Sequence, residues 1–197
     1  MFGPSVNNGF RVPGKSTEAI RRHAMHVRSV FEIPVDAGFF PMGDFMEAWI
    51  DYGIIYDIAE PQGLPVGVEA CCVPERGLIL FSESTYQKAC QDNPRARFTV
   101  VHELGHLALS HTRTFHREYS PGLEIRVFED SEWQANQFSA EFLMPLEDIL
   151  CKGLTTQEQI MMEYQVSATA ATRRLHQIQK LQAKRGKGFQ ARQRSKP

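Results

Sequence analysis

One segment of this sequence dominates the prediction of its structure: Arg97-Phe98-Thr99-Val100-Val101-His102-Glu103-Leu104-Gly105-His106-Leu107-Ala108-Leu109. Its apolar residues would cover every side of a helix, and a helix that is apolar all round is buried. Yet His102, Glu103 and His106 lie in its middle, and burying such groups without partners costs several kcal/mol. We therefore expect a buried helix whose polar side chains are compensated by a ligand or by hydrogen bonds.

The spacing of these polar residues favours a metal ion as that ligand. His102 and His106 are four residues apart, so on a helix both imidazoles lie on one face, one turn apart. Glu103 is rotated from His102 by about 100°, where it can reach a metal-bound water. This is the H-E-x-x-H arrangement of zinc hydrolases. The alternative is a pair of core histidines satisfied by hydrogen bonds alone.

A catalytic zinc needs a third protein ligand and one open position for water. The acids just downstream are the candidates: Glu118, Glu124, Glu129, Asp130 and Glu132. Glu132 is placed best because it opens a predicted helix whose next turn carries Asn136, which we expect to orient the Glu132 carboxylate. Alternatively, Glu132 only interacts with the helix dipole. Two histidines and a carboxylate suit zinc, but also Mn²⁺ or Fe²⁺.

Composition limits the class of protein. A chain of 197 residues suggests one domain, and its 42% hydrophobic content can fill a core. The net charge of −1 predicts no bulk attraction to nucleic acid or to a membrane surface. No apolar run approaches a membrane span, and the first residues lack a secretory signal. Four cysteines without C-x-x-C spacing indicate reduced thiols and a cytoplasmic location: Cys71, Cys72, Cys90 and Cys151.

Capping residues and apolar periodicity predict the elements that precede the apolar helix. We expect Ser16 to cap a helix over residues 17–31, and Asp44 to cap a second helix through Tyr52 that Gly53 ends. The period then becomes that of strands, and their close spacing indicates an antiparallel meander. The predicted strands cover residues 54–58, 66–73 and 77–81, and a short helix over residues 85–91 follows.

Capping residues and periodicity also predict the helices of the second half of the chain. Asn93-Pro94 opens the apolar helix, because proline suits a first turn, and a polar connection over residues 111–128 follows it. Caps and periodicity predict three further helices: one over residues 132–143 after Asp130 or Ser131, one from Thr155 or Thr156 to about Tyr164, and one from Ser167 to Leu181.

The predicted elements and the composition divide the chain into three regions. Residues 1–15 are polar and rich in Gly, Pro and Asn, so we expect a flexible N-terminal arm. Residues 16–182 form the folded domain. Residues 183–197 cannot bury enough apolar surface to offset ordering, so we expect a disordered tail. That tail is basic and carries no acid: Lys184, Arg185, Lys187, Arg192, Arg194 and Lys196.

Two segments together resemble the ImmA/IrrE family of metallopeptidases. One is the helix quoted above from Arg97 to His106. The other resembles the E-x-x-A-N-x-F-A-x-x-L-L-M-P stretch of that family: Glu132-Trp133-Gln134-Ala135-Asn136-Gln137-Phe138-Ser139-Ala140-Glu141-Phe142-Leu143-Met144-Pro145. Ser139 stands where the family usually has Ala. Two motifs in the family's order are more specific than either alone. The similarity continues more weakly over residues 16–182.

The resemblance implies a fold, a chemistry and a substrate. It implies an α+β, gluzincin-like minimal zinc peptidase with a small antiparallel sheet, a buried H-E-x-x-H helix and a helical C-terminal part. His102, His106 and Glu132 would bind zinc, and Glu103 would be the catalytic base. The typical substrate is a helix-turn-helix repressor of a mobile element or a stress response. Many members also carry an N-terminal DNA-binding domain, for which we expect no room before Thr17.

Such a mechanism needs further groups. An edge strand of the sheet would hold an extended substrate by backbone pairing. A hydrogen-bond donor for the developing oxyanion is also required. His111, His116 and Tyr119 are candidates because they follow the metal helix. The alternative is that each is an ordinary surface residue.

Two other classes of function stay open. One is a regulator that binds such a repressor without cutting it, although a pure binder has no need of Glu103. The other is a nucleic-acid-binding protein that uses the last helices and the basic tail. Residues 164–175 resemble the second half of a helix-turn-helix and carry Arg173 and Arg174. The alternative for this segment is a helical hairpin packed on the domain.

Overall fold

The computed structural model describes residues 9–60, 62–111 and 125–194, and side chains as far as residue 183. The helices of this part are α1 Thr17–Val30, α2 Met42–Glu47, α3 Glu83–Cys90, α4 Pro94–Ala108, α5 Ser131–Leu143, α6 Leu146–Cys151, α7 Gln157–Tyr164 and α8 Ala168–Arg194. The strands are β1 Ile55–Ile58, β2 Ala70–Val73 and β3 Leu78–Phe81. The predicted α+β class, with a small sheet and a helical C-terminal part, is confirmed.

Helix α4 is the buried helix that the sequence predicts. Asn93 caps it, because its side-chain oxygen accepts hydrogen bonds from the backbone N–H groups of Arg95 and Ala96. Val100 and Val101 are fully buried. At Gly105 the helix approaches α5 closely, since a Cβ added there would lie 3.1 Å from the Phe138 ring. This close approach lets side chains from α4 and α5 share one site.

Helix α5 begins beside that site and is buried along most of its length. Asp130 caps it by accepting a hydrogen bond from the Trp133 backbone at 2.7 Å. Of the two predicted caps, Asp130 is therefore the cap and Ser131 is the first helical residue. Glu132 consequently lies in the first turn, at the end of α5 that meets α4.

The sheet is mixed, so the predicted antiparallel meander is wrong in its topology. The strand order is β1-β3-β2, and β3 pairs parallel with β1 and antiparallel with β2. In β3, Ile79 and Phe81 are fully buried, whereas β1 is mostly exposed. The most apolar strand therefore takes the centre, and hydrogen bonds on both sides satisfy its backbone. This order leaves β2 as an edge strand that lies against α4.

The second helix, α2, begins before the residue that the sequence predicts as its cap. Asp44 is not its cap but lies inside the first turn of α2. Instead, the Met42 backbone N–H donates to the carboxylate of Asp92 at 2.8 Å. The helix then tightens into a 3₁₀ segment, Ala48–Tyr52, which ends at Gly53 with φ of 72°, as the sequence predicts for its terminus.

Over residues 9–15 the N-terminal arm lies against the residues that precede α5, and the flexibility expected for residues 1–15 stays a prediction. Arg11 forms an antiparallel bridge with Asp130, and the Val12 N–H donates to the Glu129 carbonyl at 2.8 Å. Val12 is also buried, with 5% of its surface exposed. The Gly and Pro content does not prevent order, because the backbone groups find partners beside α5. Residues 1–8 lie outside the described part.

The C-terminal region also departs from the prediction. Thr156 and Gln159 form the capping box of α7, so of the two predicted caps Thr156 is the right one. Helix α8 continues to Arg194, beyond the predicted end at Leu181, and the disorder expected for residues 183–197 stays a prediction. Extending an existing helix needs no new nucleation, and Lys, Arg, Gln and Ala all favour helix. No helix in the described ranges is both long enough and apolar enough to cross a membrane.

Candidate metal centre

Three predicted ligands meet where α4 and α5 approach. The Nε2 atom of His102 lies 3.1 Å from Nε2 of His106 and 3.1 Å from Oε2 of Glu132. The Nε2 atom of His106 lies 3.3 Å from the other carboxylate oxygen of Glu132. Among the residues that the structure describes, they are the one group of three such side chains positioned to bind a metal ion.

The spacing of these atoms fits a small tetrahedral cation. Ligands bound to zinc at about 2.0–2.1 Å in a tetrahedron are separated from one another by about 3.3 Å. The two Nε2 atoms are 3.1 Å apart, and each lies 3.1 or 3.3 Å from a different oxygen of Glu132, so all three separations are close to this value. Two imidazoles and one carboxylate also match the donor set of catalytic zinc sites. The residues present therefore fit the metal that the sequence predicts.

The charge of the site is set mainly by Glu132. A hydrogen bond from His102 and the close approach of the His106 imidazole hold the pKa of its carboxyl well below the usual value. Burial lowers the pKa of His102, but the hydrogen bond to Glu132 and the charge of Glu103 raise it overall. Glu132 is therefore a carboxylate at neutral pH, as a metal ligand must be.

Glu103 faces the same site but is not one of the three clustered ligands. Its surface is 9% exposed, and burial raises the pKa of its carboxyl, against the lowering effect of His102 and His106. The backbone N–H of Cys72 in β2 hydrogen-bonds this carboxylate and favours its charged form. Glu103 is thus held between α4 and the edge strand, with a raised affinity for a proton.

A cavity of about 540 Å³ opens onto these side chains. Its volume lies in the range of sites that bind small ligands or parts of a chain. One wall is the strand β2, and apolar residues contribute much of the remaining lining: Phe10, Pro65, Val68 and Pro74. β2 is an edge strand, and all four of its residues line the cavity.

The other acids of the candidate set have different partners. Glu129 forms an ion pair with Arg11 at 3.2 Å, and Asp130 caps α5. Glu118 and Glu124 lie outside the described residues. Among the described candidates, Glu132 is therefore the one that meets both histidines.

The role predicted for Asn136 needs a correction. Its side-chain amide donates to the backbone carbonyl of Glu132 at 2.8 Å, not to the carboxylate. Its side chain also hydrogen-bonds His102 and raises the pKa of that ring. The i, i+4 spacing that suggested a contact with the carboxylate brings the amide to the main chain, because a helix places the carbonyl of residue i beside residue i+4.

His111 occupies a different place from the predicted one. It is buried, with 1% of its surface exposed, and burial lowers the pKa of its ring to about 4. It lines the cavity, but its two ring nitrogens lie 3.0 Å from Nδ1 of His106 and 3.0 Å from the Gln134 oxygen, so it supports a predicted ligand and has no nitrogen left to donate to an oxyanion. His116 and Tyr119 lie outside the described residues.

The sequence reasoning also missed two residues of the site. Gln134 hydrogen-bonds His111, and Phe10 lines the cavity with its ring edge-on to the His111 ring. The available signal in the sequence was that two histidines, His111 and His116, follow the end of α4. The chain turns at Ser110, with φ of 55°, and the His111 N–H then donates to the His106 carbonyl.

Comparison with known proteins agrees with this geometry. Residues 86–176 match the family model of the IrrE N-terminal-like domain, Peptidase_M78. The predicted resemblance to the ImmA/IrrE family of metallopeptidases is therefore confirmed for this part of the chain. The matched residues include all of α4 and α5, and with them His102, Glu103, His106 and Glu132. This match supports a metallopeptidase-type function with a metal cofactor.

A solved structure gives further evidence for the fold. The chain is similar to a Mycobacterium tuberculosis transcriptional regulator, with 13% identity and a TM-score of 0.53. The match covers 79% of this chain and 46% of the regulator, so the chain spans less than half the length of that protein. At this identity the likeness concerns the fold alone. None of the curated proteins compared with the chain matches it.

Proposed function

We propose that this protein is a zinc-dependent endopeptidase that binds its metal through His102, His106 and Glu132. One observation carries the proposal. Three side chains whose donor atoms approach to 3.1–3.3 Å lie within the match to a metallopeptidase family, beside a buried carboxylate that is not one of them. Mn²⁺ or Fe²⁺ would use the same donors, but the donor set favours zinc.

Glu103 is the proposed catalytic base. When bound, zinc polarises the scissile carbonyl and lowers the pKa of a bound water to about 7. Glu103 takes the proton of the attacking water and delivers it to the leaving amine. Burial suits both steps, because it raises the pKa of Glu103 and increases its affinity for the proton. The Cys72 N–H keeps the carboxylate oriented throughout.

The edge strand β2 is the proposed binding surface for the substrate. An extended peptide can pair with the outer backbone groups of β2, because the inner ones pair with β3. The Glu103 carboxylate is hydrogen-bonded to this same strand, so a peptide paired there would pass the base and the metal ligands. The apolar lining formed by Phe10, Pro65 and Val68 favours apolar substrate side chains.

The proposed substrate is a helix-turn-helix repressor of a mobile element or a stress response. The family resemblance of both motifs supports this class, and the shared fold with a protein described as a transcriptional regulator is compatible with it. We propose that the reaction takes place in the cytoplasm. The four cysteines are free, as in a reducing compartment.

The alternatives have less support. For nucleic-acid binding through residues 164–175, Arg174 would have to be available, but it is buried against the Met144 carbonyl and Glu141. Tyr164 and Ala171 are also fully buried, as in a helical hairpin packed on the domain. For a regulator that binds a repressor without cutting it, Glu103 would serve no purpose.

Incubation with the repressor encoded by a neighbouring gene tests the proposal. Zinc-loaded wild type should cut it at a defined bond that mass spectrometry identifies. Glu103→Gln should retain zinc and thermal stability but lose cleavage, because the nearly isosteric amide cannot accept a proton. Cleavage by Glu103→Gln at an undiminished rate would rule out this base. Tight binding by the wild type without any cleavage would favour the sequestering regulator.

A further inference from the structure

A chain of hydrogen bonds leads away from the metal centre through His106. The second ring nitrogen of His106, Nδ1, lies 3.0 Å from Nδ1 of His111. The other ring nitrogen of His111, Nε2, lies 3.0 Å from the side-chain oxygen of Gln134. The Gln134 amide nitrogen is 3.0 Å from the Pro13 carbonyl oxygen and 2.8 Å from the Phe128 carbonyl oxygen. We call these side chains and carbonyls the His106 relay.

The two carbonyls determine the direction of every hydrogen bond in the relay. A carbonyl oxygen only accepts, so the NH₂ group of Gln134 must face Pro13 and Phe128. The Gln134 oxygen then faces His111 and accepts, which requires a proton on His111 Nε2. A neutral imidazole protonated at Nε2 has an acceptor at Nδ1. His106 must therefore donate from its own Nδ1, which leaves the lone pair of its Nε2 directed at the metal centre.

Because the relay is buried, its hydrogen bonds must run in these directions. Gln134 is fully buried, and His111 has 1% of its surface exposed. Bulk water therefore has little access to replace a wrongly oriented partner, and an unsatisfied polar group there costs about 1–3 kcal/mol. Reversing one bond would place two donors or two acceptors face to face. The relay thus has one satisfied arrangement, and in that arrangement His106 is ready to bind a cation.

The N-terminal segment completes the relay. It supplies the Pro13 carbonyl, and its backbone is fixed to the start of α5 because Phe10 and Ser131 exchange two hydrogen bonds. The Phe10 ring also stands edge-on to the His111 ring, with 6.5 Å between centroids. Residues 10–13 therefore belong to the metal centre, although they lie far from it in sequence.

We propose that His111 and Gln134 are positioning residues that hold His106 in its metal-binding tautomer, with the Pro13 carbonyl as anchor. The inference rests on the proposed metal centre and goes beyond its ligands. Partners of this kind typically change metal affinity by about 10–100-fold when they are removed. Zinc affinity of this protein should then depend on side chains that never touch the metal.

The first test measures zinc affinity by competition with a chelator. His111→Ala should weaken zinc binding by about 10–100-fold. His111→Asn should recover most of that loss, because the Asn oxygen can take the place of Nδ1 as the acceptor. His26→Ala removes an exposed imidazole on α1 and should bind zinc as the wild type does. Full affinity in a folded His111→Ala would overturn the proposal, as would an Asn variant as weak as the Ala variant.

The second test reads the protons directly and needs no variant. The ¹⁵N shifts and couplings of the imidazole rings identify which nitrogen carries the proton. In the metal-free and zinc-loaded wild type we expect the proton of His111 on Nε2, and that of His106 on Nδ1 in the zinc-loaded form. A proton on Nδ1 of His111 would overturn the relay, even if His111→Ala failed to fold.

These readouts separate the relay from the peptidase proposal. Both concern zinc affinity and ring protonation, and neither requires cleavage. Failure to cut any repressor, with the expected affinities and tautomers, would count against the peptidase alone. A wild type that binds no zinc would overturn the metal centre and the relay together.

Discussion

Glu132 is the residue on which the metal centre depends most. It contacts both histidines, and these contacts keep its carboxyl ionised. Without it, the two Nε2 atoms would face each other at 3.1 Å with no carboxylate in contact with either of them. In the proposed centre this carboxylate is therefore both a ligand and the charge that balances a divalent cation.

Replacing Glu132 tests its proposed role as the third metal ligand. Glu132→Ala should lose zinc affinity by more than about a hundredfold, beyond the loss usual for a partner that does not touch the metal. Chelator competition and the zinc content of purified protein measure the effect. Glu129→Ala is the matched control, because this neighbouring acid pairs with Arg11 instead. Equal affinity in the two variants would mean that Glu132 is not the third ligand.

The predictability of single residues depends on how local their contacts are. His102, Glu103 and His106 were predicted because one helical turn brings them together. Glu132 followed because it begins a helix with its own sequence signals. His111 was predicted with a different role and Gln134 was missed, since their roles depend on a turn at Ser110 and on the distant Pro13 carbonyl. Periodicity contains no information about such contacts.

At the scale of elements, Glu141 joins three helices. Its carboxylate lies in α5 and accepts hydrogen bonds from Arg174 of α8 at 2.6 Å and from Arg21 of α1 at 3.0 Å. Gln137 of α5 donates to its other oxygen at 2.9 Å. The side chains of Glu141 and Arg174 are completely buried. Breaking one partner of such a cluster leaves an uncompensated buried charge.

This cluster predicts a pH dependence of stability. Burial raises the pKa of Glu141, but the two guanidinium groups lower it below its usual value overall. A carboxyl with a lowered folded-state pKa stabilises the fold above the unfolded-state value of about 4.3. This contribution is lost as the pH falls through the folded-state pKa.

Glu141→Gln should therefore lower the free energy of unfolding at neutral pH, by about 3 kcal/mol. The difference from the wild type should shrink in acid, where the wild type loses the same charge. Urea denaturation across the acidic range measures both values. Glu18→Gln, in an exposed pair with Arg22, is the control and should change little. A difference that stays constant with pH would contradict the assigned role.

The helix starts were predictable because their signals are contacts between residues close in sequence. The caps at Ser16, Asn93 and Thr156 are confirmed because a cap is a contact over two or three residues. The order of the strands was not predictable, since pairing depends on which strand is most buried. The arm over residues 9–15 gains its order from partners beside α5, more than 100 residues away in sequence.

At the scale of the whole molecule, the sequence of α8 changes from apolar to basic toward its end. The apolar contacts of α8 with the core extend to Ile178 and Leu181, and the positively charged residues follow. Such a cluster of like charge steers an acidic partner, or DNA that carries a repressor, and acts on the rate of association more than on affinity.

Deleting residues 183–197 should accordingly leave zinc content and thermal stability unchanged. Cleavage of the repressor at low salt should slow, and the difference should shrink at physiological ionic strength, where screening acts over about 8 Å. A full-length variant with Gln at the basic positions is the matched control: Lys184, Arg185, Lys187, Arg192, Arg194 and Lys196. Wild-type rates for the deletion at low salt, with and without operator DNA, would eliminate the steering role.

The central claim is that one zinc ion lies between α4 and α5 on three named side chains. Diffraction from zinc-loaded crystals, recorded on both sides of the zinc absorption edge, tests it most directly. The account predicts one anomalous peak per molecule, at about 2.0–2.2 Å from Nε2 of His102, Nε2 of His106 and a carboxylate oxygen of Glu132. A map without that peak, or a peak bound by other groups such as the thiols of Cys71 and Cys72, would contradict it.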